Sequence, residues 1–132
     1  MNDTLKKGNV LFVDDDKFLA DMYGMKFSAA GYSVQTCLSV AEALAAISAG
    51  FVPDAIVFDI TMPERDGFSF VEELKKQALA PAASLIALTN ASDPADKEKA
   101  QHLGVHRHIV KASMIPSEVV EAVGEEIRKR KA

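Results

Sequence analysis

The chain has a single cysteine, Cys37. One thiol excludes an intramolecular disulfide and a thiolate metal cluster, and a lone cysteine in a chain of this kind reads as a small buried hydrophobe. No apolar stretch approaches the roughly 20 residues that span a membrane. The start, "MNDTLKKGNV", lacks the apolar core of a signal peptide. A reducing cytoplasm is therefore the expected compartment. Positive charge is not in excess: 15 Lys and Arg stand against 19 Asp and Glu, a formal net charge of −4. That balance argues against a general nucleic-acid binder. There is no low-complexity tract, linker or composition shift, so residues 1–132 are expected to form one domain with a core over about 9–130.

What is present is a regular alternation. Five short, mainly apolar runs occur: "NVLFV" at 9–13, "SVQTC" at 33–37, "AIVF" at 55–58, "SLIAL" at 84–88 and the weaker "HRHIV" at 106–110. They begin about 20–30 residues apart, with helical patterns between them. Lys17 to Ala30 sets Phe18, Met22, Met25 and Ala29 on one stripe, and Gly31 stops it. Ser39 and Glu42 make a capping box that opens a helix to about Ser48. Phe68 to Gln77 carries Phe70, Val71 and Leu74 on one side. Asp93-Pro94 opens a helix to about Leu103, with Gly104 as its C-cap. Pro116 opens the last helix, with Val119, Val120, Val123 and Ile127 inward. Strand–helix alternation predicts βαβ units, a parallel sheet and helices on both faces.

In such a sheet the ligand site lies beyond the carboxyl ends of the strands. The first run ends in Asp14-Asp15-Asp16, the third in Asp59, the fourth in Thr89-Asn90 and the fifth in Lys111. Asp16 reads as a helix N-cap. Clustered carboxylates stay ionised only if a cation joins them. Oxygen ligands of this hardness suit Mg2+, which keeps several waters and takes few protein ligands. An aspartate held beside it can attack phosphorus and form an acyl phosphate, whose phosphoryl oxygens Thr89 and Lys111 could contact. "MPERDG", residues 62–67, reads as loop shape, because proline fixes φ and glycine permits positive φ. His102, His106 and His108 read as surface or packing residues and not as a metal cluster. The basic tail, Arg128 to Lys131, complements a helix C-terminus.

Taken together these segments resemble the receiver domains of two-component response regulators, chemotaxis-regulator-like, over roughly residues 9–130. "VLFVDDD" is similar to the family's first strand with its acidic pair, Asp14 and Asp15. "AIVFDITMPERDGFSFVEEL" is similar to the phosphoacceptor segment, "LIALTNAS" carries the hydroxyl residue and "HIVKAS" the lysine. The resemblance implies a doubly wound, flavodoxin-like (βα)5 sheet in the order 2-1-3-4-5. It implies Asp59 as acceptor of a phosphoryl group from a phosphohistidine on a sensor histidine kinase or phosphotransfer protein. It implies Mg2+ held by Asp15 and Asp59 directly, by Asp14 through water, and by the backbone carbonyl of Thr61. Phosphorylation would draw in Thr89 and shift the face of the last two strands and helices toward a downstream target that the sequence does not name. The domain would catalyse its own phosphorylation and dephosphorylation without being a turnover enzyme. No direct contact with nucleic acid or membrane is expected.

Four features depart from the family pattern. His108 stands where an aromatic switch residue is usual, and brings a charge that varies between about pH 6 and 7.5. Asn90 follows Thr89 where a small residue is common. Ala112 replaces the proline after the lysine, so a trans Lys111–Ala112 bond is expected; a cis bond there would cost about 2.5–4 kcal/mol. The stretch from Lys111 to the last helix is about one residue longer than usual in the resembling family. Three rivals share parts of this chemistry. A receiver-like adaptor would signal without phosphorylation. An aspartyl-phosphatase would need a second acid, and position 61 holds Thr. A flavin carrier would not place "DDDK" where a phosphate must sit.

Overall fold

The structure is a computed structural model, and it describes residues 7–90 and 93–131. Five parallel strands form one sheet in the order β2-β1-β3-β4-β5. They are β1 (Asn9–Val13), β2 (Ser33–Cys37), β3 (Ala55–Asp59), β4 (Ser84–Thr89) and β5 (Arg107–Val110). The intervening helices are α1 (Lys17–Ala29), α2 (Val40–Ser48), α3 (Gly67–Lys76), α4 (Pro94–His102) and α5 (Pro116–Lys131). The expected strand order and the expected alternation are both present.

Side chains alternate across each strand, so the sheet carries two cores. Leu11, Val13, Ile56, Phe58, Leu85 and Ala87 meet α2, α3 and α4 on one face, through Val40, Ala43, Phe70, Val71, Leu74 and Ala100. Val10, Phe12, Ala55, Val57, Ile86, Leu88 and Ile109 meet α1 and α5 on the other, through Tyr23, Phe27, Val119, Val123 and Ile127. β3 is buried along its whole length. Its ladder to β1 and β4 aligns Val13 with Phe58 and Asp59 with Leu88. The ends of β1, β3 and β4 therefore stop at one edge.

The helix boundaries follow their local signals. Ser39 accepts from the Glu42 N–H at 3.1 Å, and Glu42 accepts in return from the Leu38 N–H at 2.9 Å. Asp16 caps α1 by accepting from Leu19, as expected. Asp93 caps α4 through the Ala95 N–H. Gly104, at φ +83°, follows α4 in the left-handed region.

Four readings need correction. The stripe of Phe18, Met22, Met25 and Ala29 is not the core face of α1: Phe18 is 79% exposed and Met25 74%. The buried face is Ala20, Tyr23 and Phe27. Tyr23 stacks on Phe12 at 4.9 Å, and Phe27 meets the edge of Tyr32. Gly67 does not serve a positive φ; it is the first residue of α3, with Asp66 as N-cap accepting from Ser69. Met62 is buried in the α2–α3–α4 core and so does more than shape a loop. His106 also lies just before β5 and not inside it.

Candidate functional site

β3 ends in an ionisable residue and one directly follows each of β1 and β5, and the sheet topology brings these ends together. Asp14 leaves β1 and is 1% exposed; its Oδ1 accepts from the Asp16 N–H at 2.9 Å. Asp59 occupies the last position of β3 and is 6% exposed. Its Oδ1 accepts from the Thr61 N–H at 3.0 Å. Asp15 is exposed beside them. One carboxylate oxygen from each of Asp14, Asp15 and Asp59 falls within 4.8 Å of the others. Among the described residues this is the group of acids and histidines whose geometry suits a metal ion. All its ligands are hard oxygens, and one member faces solvent, which fits an ion that keeps part of its water shell.

Lys111 enters from β5 as the first residue of a 3-10 turn, Lys111–Ser113. Its Nζ donates to Asp14 Oδ2 at 2.9 Å and to Asp59 Oδ2 at 3.3 Å. No cis peptide occurs among the described residues, so the Lys111–Ala112 bond is trans, as expected.

The electrostatics follow from burial. Desolvation pushes the Asp59 carboxyl above the usual range, and the Asp14 charge adds to it. The Lys111 charge and the Thr61 N–H pull the other way without cancelling it. For Lys111, burial alone would lower the pKa; the hydrogen bond to Asp14 and the charges of both carboxylates outweigh it and raise it. The lysine is a fixed cation, and Asp59 is a carboxylate held at some cost in its charged form.

Thr89 closes β4, the neighbour of β3, and is buried. The ladder pairs it with Val110, the residue before Lys111. The backbone N–H of Thr61 touches Asp59; the metal role of its carbonyl stays with the resemblance. His108 pairs with Ala87 across the β4–β5 ladder. Its Nε2 is buried without a hydrogen-bond partner. Sequence reasoning missed one contributor to the site, Gly67. A Cβ there would lie 2.6 Å from the Asp59 carbonyl oxygen and 2.8 Å from Phe58 Cδ2. The signal was Asp66-Gly67 itself, read as a turn when it is a cap followed by a close approach.

Burial lowers the pKa of His108; Asp96 opposes the shift and Lys97 reinforces it. The window expected from an unperturbed imidazole therefore moves down. A histidine held neutral in the fold contributes stability that is intact above its unfolded pKa of about 6.5 and is lost as pH falls below it. His106 is lowered in the same direction and acts in the same window. The His108 ring should titrate with a midpoint below about 6.5 by NMR. His108→Phe should flatten the fall of stability between about pH 6.5 and 5. A midpoint at or above the ordinary value would contradict this assignment.

The site and fold define a class: a parallel α/β domain with an acidic pocket and a bridging lysine at the carboxyl edge of its sheet. Comparison with known proteins agrees. The family model of the response regulator receiver domain matches residues 10–123, and the chain belongs to that family. The probable transcriptional regulator ycf27 of Guillardia theta is 33% identical over 105 residues, which is 80% of this chain and 40% of that protein. The transcriptional regulatory protein GlrR of Escherichia coli K12 is 33% identical over 106 residues, 80% of this chain and 23% of that protein. The chain thus spans less than half the length of these relatives. Among solved structures, the chemotaxis protein CheY4 of Vibrio cholerae has a TM-score of 0.80 at 30% identity, covering 89% of this chain and 97% of that one. A CheY-like receiver domain from Methanospirillum hungatei shares the fold at a TM-score of 0.84 and 24% identity, covering 93% and 95%. The chain is a receiver domain of two-component systems. No helix among the described residues is long and apolar enough to cross a membrane.

Proposed function

We propose that the domain accepts a phosphoryl group on Asp59 from a phosphohistidine of a sensor histidine kinase or phosphotransfer protein, and that this changes the surface made by β4, α4, β5 and α5. The observation that carries the reading is the convergence of Asp14, Asp15 and Asp59 with Lys111 bridging two of them.

Asp59 Oδ2, the oxygen nearer Lys111, is the nucleophile; Oδ1 is held by the Thr61 N–H. Its lone pair forms the new O–P bond as the N–P bond to the donor imidazole breaks. The imidazole leaves with the bonding electrons and takes up a proton. Little covalent assistance is needed, so the residues act by position and charge. Lys111 offers its ammonium to the phosphoryl oxygens, and the Thr89 hydroxyl donates to one of them from the adjacent strand end. Asp14 keeps Lys111 in place. Asp15, Asp59 and Asp14 would hold Mg2+, whose charge offsets that of the incoming phosphoryl oxygens. Water then hydrolyses the acyl phosphate, and in this reading the domain resets itself without being a turnover enzyme. The output of the whole protein, for which its relatives' names suggest transcriptional regulation, lies outside this site.

Beryllofluoride, a mimic of the phosphoryl group, should bind only with Mg2+. Asp15→Ala should weaken Mg2+ binding by more than about tenfold, since a carboxylate ligand is lost. Asp15 is exposed, so the variant should keep its fold. Failure to bind beryllofluoride even with Mg2+ would favour the adaptor that signals without phosphorylation, and unchanged Mg2+ affinity in the variant would count against the metal site.

A further inference from the structure

At the opposite end of the sheet from Asp59, between the α3–β4 loop, the start of β5 and the end of α5, lies a pocket of about 370 Å³. Leu74, Leu79 and Leu85 give it apolar walls; Lys75, His106 and Arg130 give it charge, and no carboxylate lines it. Glu126, the acid whose charge reaches His106, is engaged elsewhere by Arg107 and Lys129.

The polar contacts in this pocket do not balance. The Leu85 N–H donates to His106 Nδ1 at 2.8 Å. A backbone N–H can only donate, so the neutral ring carries its proton on Nε2. That Nε2 faces Arg130 Nη1 at 2.9 Å, donor against donor. Burial, Arg130 and Lys75 all lower the pKa of His106, in keeping with a ring surrounded by donors. Arg130 is braced from behind: Nε donates to Ala82 O and Nη2 to Pro81 O. Its five N–H groups exceed these acceptors. Lys75 Nζ folds over Gly104, within 3.1 Å of where a Cβ would stand. The loop that closes the pocket holds Ala78 at φ +53° and Ala80 at φ +46°, a conformation that is strained for an alanine. Strain of this sort persists where the surroundings impose a shape.

An acceptor placed against His106 Nε2–H and Arg130 Nη1–H turns this opposition into two charge-assisted hydrogen bonds, and Lys75 adds a third positive group. The geometry points to a second ligand site for a small amphipathic carboxylate: one carboxylate on the cations, a compact apolar body against the leucines. Its occupant would tie α5 to the α3–β4 loop, far from the phosphoacceptor.

The test is titration of the 15N-labelled protein with sodium benzoate, with benzamide and inorganic phosphate as controls. Benzoate should shift the Leu85 and Gly104 amides and saturate. Benzamide should not saturate, and phosphate should bind more weakly than benzoate. Arg130→Gln should weaken benzoate by about tenfold, the effect of losing charge-assisted hydrogen bonds. Lys75→Gln should weaken it in the same direction. Both side chains are exposed, so both variants should fold. Asp59→Asn should leave benzoate binding unchanged, which separates this site from the phosphoacceptor. No saturation by benzoate, equal binding of benzamide or phosphate, or unaltered affinity in Arg130→Gln would overturn the proposal.

Discussion

Gly67→Ala should destabilise the domain by about 3 kcal/mol and slow phosphorylation of Asp59 by more than about tenfold. The new methyl carbon would stand 2.6 Å from the Asp59 carbonyl oxygen and 3.0 Å from Ile60 Cα. Both are backbone atoms, and Asp59 is fixed in the ladder to β4. The Gly67 N–H also donates to the Ile60 carbonyl at 2.9 Å, so α3 is tied to the turn that follows the acceptor. Relief requires moving either α3, whose Phe70, Val71 and Leu74 are buried, or the end of β3. Either motion displaces the Asp59 carboxylate, and small misplacements of a reacting group are costly. Urea unfolding and acetyl phosphate kinetics read the two effects. Wild-type stability and rate in this variant would show that the close approach is unimportant.

Lys111→Met should cost about 3 kcal/mol at pH 7.5 without divalent cations. It leaves Asp14 and Asp59 buried with no cation between them. Asp59 already sits above the usual carboxylate range because of burial, with Lys111 among the groups opposing the rise. Removing Lys111 raises it further. The sign follows: a carboxylate whose folded pKa lies above its unfolded one penalises the fold as pH rises through that interval, and the penalty is complete above it. The variant should therefore recover stability as pH falls through the raised Asp59 pKa, and Mg2+ should stabilise it more than it stabilises wild type. Thermal unfolding across pH 4–8, roughly the span over which a shifted carboxylate titrates, with and without Mg2+, measures both. Equal loss at every pH, insensitive to Mg2+, would mean that lost packing of the lysine stem is responsible.

Much of this was legible because strand ends are marked. A β-branched or apolar run that stops at an acid, a hydroxyl or a lysine names both the strand and its edge residue. Asp14, Asp59, Thr89 and Lys111 were all found that way. What hydropathy could not settle was α1. That helix has two apolar stripes with the same period, and the choice between them depends on Phe12, a residue of another element that stacks on Tyr23. Gly67 was misread for a related reason. A glycine required by close approach and one required by positive φ look alike in a sequence, and only the Asp59 carbonyl 2.6 Å from the absent Cβ separates them. His106 was drawn into β5 because its neighbours are strand-like; its ring instead takes the Leu85 N–H. Contacts between different elements of the fold decide all three.

The most direct measurement is to incubate the protein with acetyl phosphate and Mg2+, trap the acyl phosphate by borohydride reduction, and locate the modification by mass spectrometry. The label should fall on Asp59 alone, depend on Mg2+, and vanish in Asp59→Asn. Label on another residue, or undiminished labelling of Asp59→Asn, would contradict the assignment.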